Sequence, residues 1–249
     1  MALELGPCQV KYGIAVRGTA WAALTNYALG DKRVITDASP AISLLAEVTT
    51  DGGSSAASSP DLTGKTVGST ITDDGITWTV LSVGLTDLGK TNGGVTLRIS
   101  DESVDLKSDQ YGTSAEDTII TGTMVEVEAA FAEISFELLS KVLHQSTFGA
   151  AAGVLGENNV GTSLLADDKE LQLIKYVNGA ASTDPIDKMV LPLAAPIGNI
   201  ELSYDADNQR VMATKFKCFP KSITANWGVN TGATAKTVTY FFGDETATA

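Results

Sequence analysis

Histidine and cysteine are almost absent from this chain. Among its 249 residues there is one histidine, His144, and there are two cysteines, Cys8 in "GPCQV" and Cys218 in "FKCFP". A His/Cys metal site needs several such ligands at short spacing, so none is expected. Each cysteine sits in an apolar, strand-like run, which predicts two buried free thiols in a reducing cytosol. A disulfide between them, or between subunits, is the alternative.

Basic residues are also few. Lys and Arg number 17 against 30 Asp and Glu, a formal net charge of −13. An acidic surface repels phosphate, which argues against a conventional nucleic-acid binder. It suits a protein past which nucleic acid must move without sticking. Long apolar runs are missing too: no window approaches the roughly 18 residues that a membrane-crossing helix needs. The start, "MALELGPCQV", lacks a basic region followed by an apolar core, so no secretory signal is expected.

Catalytic signatures are likewise lacking. There is no GxSxG elbow, Walker A loop, HExxH, or GxGxxG after a strand. The D-x-D-x-D-G spacing of a calcium loop is absent, which leaves a calcium-stabilised surface domain resting on scattered Asp-rich turns alone. Asp73 and Asp74 in "TDDGITW" resemble paired carboxylates, but Gly75 after them predicts a turn. Asp167 and Asp168 in "ADDKE" suit the start of an element. No catalytic residue, metal ligand or cofactor is assigned, and the chain is not expected to be an enzyme.

What the chain does have is strand alternation. In "CQVKYGIAV", Val10, Tyr12 and Ile14 alternate with Gln9, Lys11 and Gly13. Residues 18 to 83 then change character, with short strand-like pieces ("KRVIT", "SLLAEVTT", "TVGSTI", "ITWTVLS") between turn-rich spacers. The Gly/Ser/Pro stretch "TDGGSSAASSPDLTG" reads as an exposed loop. This segment is read as a separate small β-module with three basic and seven acidic residues.

Alternation resumes in "GGVTLRISDESVDLKS", where Val95, Leu97 and Ile99 oppose Thr96, Arg98 and Ser100. After the polar stretch "SDQYGTSAED" it continues in "TIITGTMVEVEAAFAEI", where Val125, Val127, Ala129 and Phe131 oppose Glu126 and Glu128. The pair predicts a long hairpin with one apolar and one charged face. A helix is expected over "SFELLSKVLHQS", with Ser135 as N-cap, Glu137 in the first turn, a stripe of Leu138, Leu139, Val142 and Leu143, and His144 at its end as a capping or packing residue. The Gly/Ala-rich "STFGAAAGVLGENNVGTS" reads as a connector. Four more strands are expected in "KELQLIKYV", "KMVLPLA", "NQRVMATKFKCFP" and "KTVTYFFGD". The expected fold class is therefore all-β with one packed α-helix.

With residues 18 to 83 set aside, "LGPCQVKYGIAV" runs into "LTDLGKTNGGVTLRISDESVDLKSDQYGTSAEDTIITG". That composite resembles the tail tube (major tail) proteins of bacteriophages. Their pattern opens on a Gly-Pro strand, passes an "LG-T-GGV" turn and runs through "VDLKSDQ-G--P-D-IITG" into a strand and a helix. Ser114-Ala115 stands here where a proline is common. "FAEISFELLSKVL" matches the expected helix, and "YDADNQRVMATKFKCFP" looks like the closing strand.

The resemblance implies a tail-tube β-sandwich or barrel over residues 1–17 and 84–249, with residues 18–83 as an inserted β-domain on the outer surface. It implies hexameric rings stacked as the inner tube of a tail, built in the host cytoplasm and carried in the virion, through which DNA is ejected without specific binding. Partners would be further copies of the chain, the tape measure, tail terminator and baseplate, and a sheath if the tail contracts. An arm bridging subunits or rings would comprise Lys107, Ser108, Asp109, Gln110, Tyr111, Gly112, Thr113, Ser114, Ala115, Glu116 and Asp117. Repeated around a ring, Glu126 and Glu128 would give an acidic channel lining that repels phosphate. A baseplate or tail-tip ring that starts the tube is the nearest alternative. The insertion, through "WAALTNYALGDKRV" and "DDGITWTVL", also resembles small β-domains that decorate phage structural proteins, some of them similar to carbohydrate-binding modules. On a second alternative, an adhesin, Trp21, Tyr27 and Trp78 would be stacking platforms for sugar, although aromatics in so small a domain also serve as core.

Overall fold

The computed structural model describes residues 2–4, 8–16, 19–38, 41–50, 53–107, 115–132, 139, 142, 163, 169–197, 212–225 and 234–243. They are mostly β-strand, in agreement with the expected class. Of the expected helix, Leu139 and Val142 are helical, and Val142 is buried in a core that Leu139 packs against. Ser135, Glu137, Leu138, Leu143 and His144 lie outside the described residues, as do Asp167 and Asp168.

The chain divides into two compact units, residues 1–12 with 87–249, and residues 13–86. Both junctions lie a few residues outside the positions expected from composition. The first strands end where Gly13 takes a φ of +149°, and a side chain there would meet the backbone of Gly84 and Leu85. The Ser82 hydroxyl donates to the Ile14 carbonyl, so the two ends of the 13–86 segment are adjacent.

In the larger unit, one sheet runs β1 (Ala2–Glu4), β8 (Thr91–Lys107), β9 (Ala115–Phe131), β14 (Met212–Cys218) and β13 (Ala194–Ile197). A second runs β17 (Phe241–Phe242), β12 (Lys188–Leu191), β10 (Glu170–Val177), β2 (Cys8–Gly13) and β7 (Thr86–Asp87), with β11 (Ala180–Ala181) hairpinned onto β10. The strands β15 (Lys221–Ala225) and β16 (Thr234–Val238) form a separate pair. The alternating residues of both large sheets meet in one core: Val10 and Tyr12 from β2, Leu97 and Val127 from the hairpin, Phe216 from β14, Leu171 from β10. Tyr12 and Phe216 rings pack 5.3 Å apart, and the Tyr12 hydroxyl donates to the Ala194 carbonyl. That bond lets a phenol sit in the core without an unpaired polar atom.

Both cysteines are buried free thiols in this core. Burial pushes the Cys8 thiol up to about 11. Burial, with the nearby Glu126 charge, pushes Cys218 up to about 12. Each thiol therefore stays protonated well above neutral pH.

The smaller unit is a four-stranded antiparallel sheet ordered β3 (Lys32–Ala38), β4 (Ala41–Thr50), β6 (Ile76–Ser82) and β5 (Thr70–Asp73). Asp74 and Gly75, with φ of 46° and 95°, make the two-residue β5–β6 turn, as the Asp-Gly sequence dictates. Asp73 opens that turn, paired with Ile76 across it. It is the last residue of β5, buried, and its carboxylate accepts from Trp21 Nε1 at 2.8 Å, Trp78 Nε1 at 3.1 Å and the Ala56 amide at 2.7 Å. Tyr27 packs edge-on to Trp78 at 5.0 Å, and the Arg33 guanidinium lies 5.1 Å from the Tyr27 ring centre on the outer side.

Two sequence expectations are corrected here. Tyr27 and Trp78 are not surface platforms: Trp78 is 0% exposed and Tyr27 4%, and Trp21 is half-buried with its indole N–H on Asp73. A unit this small has few other large side chains to fill its centre. The "TDGGSSAASSPDLTG" stretch is likewise not simply exposed, because Ser55 and Leu62 are buried. The Ser55 hydroxyl accepts from the Thr25 amide and donates to the Ala22 carbonyl, which satisfies backbone that no strand pairs.

Removing the Asp73 carboxylate orphans three donors. Asp73→Ala should lower the unfolding free energy of the smaller unit by roughly 2–4 kcal/mol. Asp73→Asn, whose amide presents a donor where an acceptor is needed, should fall between that variant and the wild type. Denaturant unfolding of the full chain followed by tryptophan emission measures this, and an unchanged midpoint in Asp73→Ala would show that the carboxylate holds nothing together. Thiol reagents give a second check. At pH 8 the native chain should react slowly at Cys8 and Cys218 and promptly once unfolded; fast native labelling would contradict the burial.

Candidate assembly site

The long hairpin β8–β9 is where the sequence concentrates its unusual features. Its register runs from Thr91 opposite Phe131 to Lys107 opposite Ala115. Near the base, Asn92, Gly93 and Gly94 bulge out of the ladder between the pairs Thr91–Phe131 and Val95–Ala129, with φ near +88° at both glycines. Only glycine takes two such values in succession at little cost, which explains the "NGG" sequence.

From Val95 to Ile99 the hairpin is a sheet interior. The strand β1 pairs residues 96–98 and β14 pairs residues 125–131. Val95, Leu97, Val125, Val127, Ala129 and Phe131 face the core, as alternation predicts.

Glu126 and Glu128 stand on the opposite face, half-buried, but they are not alone there. Arg98 is directly across from Glu126 and its guanidinium lies 3.2 Å from Glu128. From the other flank, Lys215 reaches Glu126 at 2.7 Å and Glu128 at 3.7 Å, while Lys217 is across from Glu126. The expected acidic face is thus a lattice of alternating charge, with three cations around two carboxylates. Sequence reasoning missed this because β14 lies some ninety residues away along the chain.

Beyond Ile99 and Met124 the hairpin continues, among the described residues, as a two-stranded ribbon, since neither β1 nor β14 extends so far. Eight residues of extended chain give it a reach of roughly 25 Å. Thr121 is an extra residue between the pairs Glu102–Gly122 and Ser103–Ile120, so the side alternation of β9 shifts by one there while β8 continues. On one side, Thr123 and Thr118 hydroxyls donate to the Asp101 and Asp105 carboxylates at 2.8 and 2.9 Å. On the other, Val104 pairs with Ile119 and Leu106 follows, with exposures of 53%, 48% and 46%. Five carboxylates (Asp101, Glu102, Asp105, Glu116, Asp117) and one lysine, Lys107, lie on this outer ribbon.

Of the residues expected to form the bridging arm, Lys107, Ala115, Glu116 and Asp117 are strand residues at the ribbon's end, and Ala115 and Asp117 are exposed. Ser108, Asp109, Gln110, Tyr111, Gly112, Thr113 and Ser114 lie outside the described residues. Sequence reasoning placed the special feature only at the tip. The ribbon below it carries exposed aliphatic side chains as well, and edges that no described strand pairs, and the "SVDLK…DTIIT" spacing of apolar residues was the signal for it.

Among the described residues no cluster of His, Cys, Asp and Glu is placed to hold a metal, and no helix is long and apolar enough to cross a membrane. The lattice itself is testable. Glu126→Gln with Glu128→Gln releases Arg98 and Lys215, so the doubly substituted chain should bind DNA more tightly than wild type, with a steep loss of binding as salt rises. A filter or anisotropy titration at two salt concentrations measures this; equal binding by both chains would mean that the glutamates do not mask those cations. No protein-family model matches the chain, and no curated protein is significantly similar to it.

Proposed function

We propose that this chain is a structural protein that assembles with copies of itself into stacked hexameric rings, the inner tube of a phage tail. The observation that carries the reading is the outer half of β8–β9. It is a ribbon with no strand paired to either edge among the described residues, and it exposes three neighbouring aliphatic side chains. Exposed strand edges and aliphatic patches are aggregation hazards that monomeric proteins suppress. A protein that keeps both has a use for them, and pairing between copies is the simplest one. The resemblance of "VDLKSDQYG…IITG" to tail tube proteins falls on this same ribbon and its tip.

In such a tube the face bearing Glu126 and Glu128 would look into the channel. Arg98 and Lys215 are each held by a glutamate there, so DNA phosphates would meet compensated charge rather than bare cations. Ile14 and Ser82, near the two ends of the 13–86 unit, are joined by a hydrogen bond, as in a module inserted at one point of a chain. Burial of Tyr27 and Trp78 leaves the half-buried Trp21 as the one of these three aromatics with surface to offer a sugar, which favours the assembly reading.

Negative-stain electron microscopy of the purified chain across a concentration series tests the reading. Hollow rings or tubes of uniform diameter are expected. Deleting residues 108–116 should leave a folded monomer that no longer assembles. A wild-type chain that stays monomeric at every concentration, or normal tubes from the deletion, would count against the proposal.

A further inference from the structure

Asparagine precedes glycine twice in this chain, at Asn92–Gly93 in the bulge of β8 and at Asn178–Gly179 between β10 and β11. Such a pair can modify itself. The deprotonated amide nitrogen of the glycine attacks Cγ of the asparagine, and a five-membered succinimide closes as Nδ2 leaves as ammonia. Water then opens the ring at either carbonyl, leaving an aspartate or an isoaspartate whose backbone runs through Cβ. The net change is one water consumed and one ammonia released. Glycine favours the attack because no Cβ shields its nitrogen.

Both pairs are exposed, and a side chain on either glycine would meet nothing within 4 Å, so access and room do not separate them. Their backbones do. Ring closure needs rotation about the Cα–C bond of the asparagine, to bring the next nitrogen against Cγ. Asn178 and Gly179, with φ of 53° and 82°, are the two central residues of a tight turn. Directly outside them Val177 pairs with Ala180 and Tyr176 with Ala181, and the Ser182 amide donates to the Lys175 carbonyl. Rotation there opens the hairpin.

Around Asn92 the ladder is already interrupted. Thr91 is in register with Phe131 and the next pair is Val95 with Ala129, so Asn92, Gly93 and Gly94 have no residue in register opposite them. Rotation at Asn92 therefore breaks no pair. The extra backbone atom of an isoaspartate also falls within a bulge, not within a turn of fixed length.

The product carboxylate has a place to go. Asn92 lines an open recess of about 440 Å³ together with Glu128 and Lys215. Lys215 already serves Glu126 at 2.7 Å and Glu128 at 3.7 Å. A third carboxylate beside it tips a balanced group of charges toward the negative.

We infer that Asn92 is a self-modifying site, an asparagine that the native fold leaves free to deamidate onto Gly93 while it protects Asn178. Conversion adds one negative charge per chain beside Glu128 and Lys215, and it does so whether or not the chain assembles.

Peptide mapping of the full-length chain after prolonged incubation in mildly alkaline buffer tests this. Trypsin cuts after Lys90 and Arg98, and after Lys175 and Lys188, so each asparagine falls in its own peptide and mass spectrometry reads each conversion. In the native chain Asn92 should convert at least about tenfold faster than Asn178, a difference of about 1.4 kcal/mol in barrier. In denaturant the two should convert at similar rates, since both precede glycine and neither is held. Equal native rates at the two sites would overturn the assignment. So would an Asn92 that stays intact in the native chain while the unfolded chain reacts there. A preference for Asn92 that persists undiminished in denaturant would trace to local sequence, not to the fold, and overturns it too.

Discussion

Backbone N–H and C=O groups along the edge of a strand must be paired with something, and a strand that leaves its sheet takes both edges with it. This constraint organises the larger unit. Where β8 and β9 are flanked by β1 and β14, their apolar residues are buried at 0–4% exposure and their polar face is neutralised by ion pairs. Where the flanking strands stop, the same two strands carry their side chains into solvent. The hairpin is therefore a core element over one half and a presented surface over the other, and the Thr121 bulge sits in the presented half.

The two halves also differ in electrostatics for a reason of geometry. In the flanked half Glu128 is paired from both sides, by Arg98 of β8 and Lys215 of β14, and Glu126 is paired by Lys215. In the outer half no third strand is paired among the described residues, and threonine hydroxyls are the partners that Asp101 and Asp105 find. Unequal charge along one hairpin thus follows from how far its neighbours extend. It also gives the hairpin a polarity that discourages pairing with its own twin.

Much of the architecture was legible from period-two alternation. The strands β2 and β14 and the flanked parts of β8 and β9 follow the pattern in the sequence, because each has one dry face and alternation records that directly, whereas β10 buries Glu170 to Ile174 in succession. Relations between distant segments were not legible. Lys215 beside Glu126, and Trp21 and Ala56 on Asp73, join residues brought together only by the fold. Composition misled in two places for the same reason. A serine-rich stretch looks exposed until a hydroxyl such as that of Ser55 replaces missing backbone partners, and aromatics look available until the unit proves too small to spare them. The short strands β1 and β15 left no mark, since three to five residues are too few for a pattern.

The adjacency of the two ends of the 13–86 unit has a consequence for how such a chain could change over time. Ser82 and Ile14 are one hydrogen bond apart, so the segment between them closes a loop whose mouth is no wider than a hairpin turn. The described residues of its own core, from Tyr27 to Val80, all lie within it. A module of that kind can be gained, exchanged or lost at a single seam, while the body that carries the ribbon keeps its strand order.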